Sequence, residues 1–115
     1  MRDNAAIYFN ETNSDGGGIL VAGGTFIMQD NAEVYSNSGS RGGGVAVTQD
    51  AIFRISGGII YGINSDNRRN NRANQNGHAL FGTAQFGTFN GNAFTRSGNL
   101  NTTNDTINVT SGNIF

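Results

Sequence analysis

The chain has no cysteine, no proline, no lysine and no tryptophan among its 115 residues. Without cysteine there are no disulfides, no thiolate metal sites and no thiol nucleophile, although the compartment stays open. Without lysine there is no Walker-type phosphate loop, and no G-x-G-x-x-G run occurs either. A single histidine, His78, excludes a multi-histidine metal site and a Ser-His-Asp arrangement with a spare base. Charged residues make up 13% and the net charge is −1, so the basic footprint that nucleic acid demands is missing. No apolar run approaches the roughly 20 residues of a membrane helix. The opening "MRDNAAIYFN" lacks the apolar centre of a signal peptide. These absences predict no nucleic-acid partner, no direct membrane insertion, no cofactor and no enzyme.

What the chain has instead is repetition. Glycine and asparagine each occur 18 times. "SDGGGILVAGGTFIMQDNAEVYSNS" is followed by "SRGGGVAVTQDAIFRISGGIIYGINS". Gly16-Gly17-Gly18 returns as Gly42-Gly43-Gly44, an offset of 26, and Phe26-x-Met28 returns as Phe53-x-Ile55, an offset of 27. Val34-Tyr35 returns as Ile60-Tyr61, and "MRDNAAIY" from Met1 to Tyr8 matches "MQDNAEVY" from Met28 to Tyr35. A weaker third pass begins at Gly77-His78-Ala79-Leu80-Phe81. Within each period the apolar residues alternate in bursts of three to five, which is the strand signature, and Gly, Asn, Asp or Ser bound each burst. Arg54 and Glu33 take solvent-facing positions in this pattern. Short strands that cannot bury a face alone do so by stacking on their own copies. The expected fold is therefore all-β, a parallel β-helix (β-solenoid) of about 26–27 residues per three-strand coil with an irregular C-terminal cap.

The alternation of "GGG(I/V)xV", "TFxM" and "xVYxN" or "GGIIYGxN" resembles bacterial surface β-helix repeats. It is similar to the repeats of polymorphic outer-membrane proteins and autotransporter passengers, with the third glycine standing where that family carries alanine. The likeness covers roughly Met1 to Ser65 and, more weakly, Asn76 to Gly82. It implies a right-handed helix and a structural or adhesive role at a bacterial cell surface or in a secreted protein. Two other readings stay open: a polysaccharide-binding or polysaccharide-cleaving β-helix, and an ice-binding solenoid. A cleaving enzyme would need clustered carboxylates or basic residues on one face, and ice binding would need a flat face of regularly spaced threonines.

Residues 1–65 are read as regular coils, 66–76 as an Asn/Arg-rich loop insertion and 77–115 as a degenerate last coil and cap, all in one domain. Met1 coincides with the middle of a period, so the first coil begins open. Such an edge invites pairing, and further coils of a longer chain or another chain would cover it. Tyr8, Tyr35 and Tyr61 form a ladder flanking the inward Ile7, Val34 and Ile60, so alternation turns the rings outward. Aligned aromatic rings suit a sugar ring or a host or cell-surface protein, or they only stabilise the stack. Arg68, Arg69 and Arg72 are the second candidate contact, an anion-binding patch on the insertion, against a solvated loop. Asp3 and Asp30 fall in register, which suits either Ca²⁺ or turn formation, and His78 takes a coil-surface position.

Overall fold

The computed structural model describes residues 1–63 and 68–114. The chain is all-β, built as several small and mostly parallel sheets. Strand β1 (Ala6–Tyr8) precedes a first full period of β2 (Ile19–Val21), β3 (Thr25–Met28), β4 (Glu33–Tyr35) and β5 (Ser38–Arg41). The second period gives β6 (Val45–Val47), β7 (Ile52–Ile55), β8 (Gly58–Ile60) and β9 (Arg72–Asn76). The chain then continues as β10 (Leu80–Phe81), β11 (Ala84–Asn90), β12 (Ala93–Leu100), β13 (Ile107–Thr110) and β14 (Asn113–Ile114).

The strands of the first two periods pair with their own copies. β1 lies parallel to β4 with Tyr8 opposite Tyr35, β2 to β6 with Val21 opposite Val47, and β3 to β7 with Phe26 opposite Phe53. Partners stand 26 or 27 residues apart in these pairs, and β4 pairs with β8 at the same interval. The glycine triplets continue the ladder: the amides of Gly16, Gly17 and Gly18 donate to the carbonyls of Arg41, Gly42 and Gly43. Those of Gly42, Gly43 and Gly44 donate in turn to Asn76, Gly77 and His78. Corner conformations stack as well. Gly16, Gly42 and Gly77 all hold φ near +70° (72°, 69° and 72°), a left-handed backbone that glycine enters without steric cost.

Four strands, not the expected three, make up a period. The fourth pair, β5 with β9, is almost wholly polar ("SGSR" on "RANQN"), so hydropathy alternation does not mark it. Arg72–Asn76, expected as loop, is strand β9. Its partner residues stand 34 apart (Ser38 opposite Arg72), so the insertion lies between β8 and β9. Residues 64–67, expected as the end of the regular region and the start of that loop, lie outside the described residues. The middle glycine of each triplet packs on this polar sheet. A β-carbon on Gly43 would fall 2.4 Å from the Arg72 carbonyl oxygen, and one on Gly17 2.6 Å from that of Ser38.

One hydrophobic cluster draws on three sheets: Val21, Val45, Val47 and Leu80 from the first, Met28, Phe53 and Ile55 from the second, Val34, Ile60, Ile107 and Val109 from the third. Phe53 is 1% exposed, so the core is centred on the second period. Past β10 the pairing changes sense. β11 continues parallel on β7 and then turns back as the antiparallel β12, while β13 lies antiparallel on β8 and turns back as β14. Arg54 is half-buried rather than plainly solvent-facing, because its guanidinium sits 5.3 Å from the ring centre of Phe94 on β12.

Candidate functional site

The tyrosine row stands on the outer face of the β1–β4–β8 sheet, above the buried Val34 and Ile60. Parallel pairing with no register slip sets like rings one strand spacing apart. Tyr8 and Tyr35 lie face to face with centroids 5.1 Å apart and planes 3° from parallel. Tyr35 meets Tyr61 edge-on at 6.2 Å. Tyr8 is 49% exposed, and Phe9 beside it is 75% exposed at an edge-on centroid distance of 5.4 Å. Phe9 also holds φ of +56°, as Ser36 does at the equivalent corner, so an exposed aromatic sits in a strained left-handed backbone.

The insertion returns onto this row. The Arg69 guanidinium lies 5.4 Å from the Tyr35 ring centre and 5.7 Å from that of Tyr61. It also pairs with Glu33 at 3.2 Å and donates to the Tyr61 hydroxyl at 3.4 Å. Burial, as the larger cause, raises the Tyr61 phenol above its usual pKa although the Arg69 contact opposes it, and the Tyr61 hydroxyl and Glu33 hold Arg69 above its own ordinary value. Tyr61 is therefore a neutral phenol and Arg69 a fixed cation at neutral pH. The main chain anchors the same segment: the Ser36 amide donates to the Arg69 carbonyl at 3.0 Å, and the Ser36 hydroxyl donates to the Arg68 carbonyl.

Of the three arginines, the structure brings Arg69 onto the tyrosines. Arg68 contributes its carbonyl beside them. Arg72 stands on β9, where its amide donates to the Asn37 carbonyl at 2.8 Å and its charge bears on His78. The His78 Nδ1 accepts the Ala73 amide at 2.9 Å. That hydrogen bond requires an unprotonated Nδ1, and burial followed by the Arg72 charge holds the imidazole below its ordinary 6.5. Asp3 and Asp30 stand at equivalent left-handed corners, φ 58° and 59°, where the Asp3 amide donates to the Asp30 carboxylate at 3.0 Å. No group of three His, Cys, Asp or Glu side chains converges to hold a metal among the described residues.

A buried asparagine column beneath the tyrosine corner escapes hydropathy reading. The amide and side-chain nitrogens of Asn10 both donate to Asn37 Oδ1, at 3.0 and 3.1 Å. Those of Asn37 donate to Asn71 Oδ1 at 2.9 and 3.0 Å. Asn71 Nδ2 reaches the carbonyls of Val34 and Tyr61, at 2.9 and 2.7 Å. Asn37 and Asn71 are 1% and 0% exposed, so the column satisfies backbone groups that water cannot reach. The signal was Tyr8-x-Asn10 recurring as Tyr35-x-Asn37; the insertion displaces the third member from the residues after Tyr61 to Asn71. Comparison with family models, with curated proteins and with solved structures finds no match.

Proposed function

We propose that the described sheets are successive turns of a right-handed parallel β-helix, and that the chain is a structural or adhesive segment of a bacterial cell-surface or secreted repeat protein, without catalysis. The carrying observation is registered stacking: Tyr8 on Tyr35, Val21 on Val47 and Phe26 on Phe53, each at the interval of the sequence repeat. A strand that templates an identical strand extends by adding periods, which suits a stalk or a long contact surface. The outer edge of β2 has no partner strand among the described residues, which favours further turns or another chain there. The tyrosine row, exposed at Tyr8 and half-buried at Tyr35 and Tyr61, supports the adhesive part of the reading, with a carbohydrate or a host or cell-surface protein as the partner.

Sequencing the gene beyond both ends of this reading frame tests the proposal. Further periods, a secretion signal upstream and an anchor or barrel downstream are the expected result. A frame flanked by none of these contradicts it.

A further inference from the structure

Successive periods turn one corner differently. In the first two, Arg2-Asp3-Asn4-Ala5 and Gln29-Asp30-Asn31-Ala32 make a four-residue turn closed by an amide of the fourth residue donating to the carbonyl of the first. The next period makes the same corner in three residues, Ser56-Gly57-Gly58, between the bonds of the Ser56 amide to Met28 and the Ile59 amide to Ala32. That missing residue is the point where the repeat slips from 27 to 26. The shortened corner is drawn in beneath its neighbour, so that a β-carbon on Gly57 would fall 2.8 Å from the Asp30 carbonyl oxygen. The β13–β14 turn closes the far side, pinned by the Gly112 amide donating to the Ser56 carbonyl at 2.9 Å.

The step so formed is a cleft of about 810 Å³. This lies within the roughly 300–1,000 Å³ of pockets that take small organic ligands. Asp30, Asn31 and Glu33 line one side, and Asn108, Thr110 and Ser111 the other. The half-buried Ile59 forms an apolar strip between them, opposite Glu33 on β4 and Asn108 on β13. No arginine or histidine lines the cleft, so it does not suit an anion. The carboxylates accept hydrogen bonds, the amides donate and accept, and the hydroxyls do both. That set of partners around an apolar strip matches a ring with C–H faces and a rim of hydroxyl groups. The tyrosine row continues the same surface: Glu33 and Tyr35 point outward from β4 two residues apart, about 7 Å along the strand. Glu33 lines the cleft and also holds Arg69 over Tyr35 and Tyr61.

We infer that this cleft and the adjoining tyrosine row together bind a neutral oligosaccharide, with one sugar hydrogen-bonded in the cleft and a neighbouring sugar packed against the outer edge of the tyrosine row. The inference deepens the adhesive reading above and names the ligand class; it stands on the described sheets alone, so its failure would leave the stalk reading intact.

The test is amide chemical-shift mapping of the full chain by NMR, titrated with cellotetraose, xylotetraose, mannotetraose and chitotetraose. At least one should give saturable shifts that include Asp30, Asn31, Ile59, Thr110 and Tyr35. Asp30→Gly, which removes the carboxylate and relaxes a left-handed backbone, should weaken that sugar by roughly tenfold or more. Tyr8→Ala should weaken it less, and Asp15→Asn, in the bend before β2 and outside the cleft, should leave it unchanged. Should Asp30→Gly fail to fold, the exposed Thr110→Val carries the same expectation. No saturable shift with any of the four sugars overturns the inference. So do shifts elsewhere on the molecule, a stronger response to tetragalacturonate, or saturation of these amides by calcium chloride but not by sugar.

Discussion

The two halves of the molecule solve the same problem by opposite means. Among the first eight strands the mutual pairings (β1–β4, β2–β6, β3–β7 and β4–β8) are all parallel at 26 or 27 residues, and β5 pairs in parallel with β9 across the insertion. From β11 onward the chain folds back on itself, through Asn90-Gly91-Asn92-Ala93 into β12 and through Thr110-Ser111-Gly112-Asn113 into β14. Parallel stacking makes each period the template of the next but always leaves an unsatisfied edge. The antiparallel hairpins end that progression: β12 covers β11, and β13 occupies the edge of β8 that another parallel strand would have used. Long-range contacts therefore hold the stacked half, whereas turn chemistry between neighbouring residues organises much of the closing half.

The contrast is broken most severely by a charge in the stack. Val47 is 7% exposed and packs in the common apolar core, so a carboxylate there would be taken out of water. Val47→Asp should cost more than about 4 kcal/mol and abolish the cooperative thermal transition seen by circular dichroism. An unchanged melting temperature would mean that the strand phase is wrong.

Next comes the asparagine column. Asn71→Leu leaves the buried Asn37 backbone N–H without a partner and takes one of two hydrogen bonds from Asn37 Nδ2 and from the Val34 and Tyr61 carbonyls, so urea denaturation should read a loss of about 2–3 kcal/mol. Asn10→Leu, at the exposed end of the same column, should cost about 1 kcal/mol. Equal losses at the two positions would show that the column does not transmit register.

A local turn should behave differently. Gly91 sits at φ +62° with no atom near its would-be side chain, so Gly91→Val is penalised by backbone strain alone. About 1–2 kcal/mol is expected, with faster amide exchange in β11 and β12 and none in β2 or β6. Exchange that accelerates throughout would make the halves one cooperative unit.

The smallest effect belongs to pH. Because the folded His78 is held below 6.5, the unfolded chain takes up a proton first as pH falls below about 6.5. Stability should decline from there until the folded imidazole protonates as well, and should be flat above. His78→Gln should remove that slope from a series of denaturation midpoints.

The repeat itself was legible because apolar residues mark it: Phe26 and Phe53, Val34 and Ile60 recur in phase and meet in register. The fourth sheet was not, since "SGSR" and "RANQN" carry no alternation and their pairing is defined by close backbone approach under Gly17 and Gly43. Asn71 was hidden because an insertion separates it from its expected place. The hairpins had a signal that period-hunting passes over. Gly-Asn between Asn90 and Ala93 is a two-residue hairpin turn, and Ser111-Gly112, both at positive φ, is another. Arg69 could be listed as a candidate but not placed, because nothing in the sequence says that the insertion folds back over Tyr35 and Tyr61. The cleft was written in the sequence only as a one-residue slip, which becomes a shape once the corners are stacked.

The central claim is that like residues one repeat apart are direct neighbours, and inter-strand nuclear Overhauser effects test it most directly. Cross-peaks should link Ile19 with Val45, Phe26 with Phe53 and Val34 with Ile60. Cross-peaks pairing β2 with β3, or β3 with β4, as antiparallel neighbours would contradict the stacking on which every other conclusion rests.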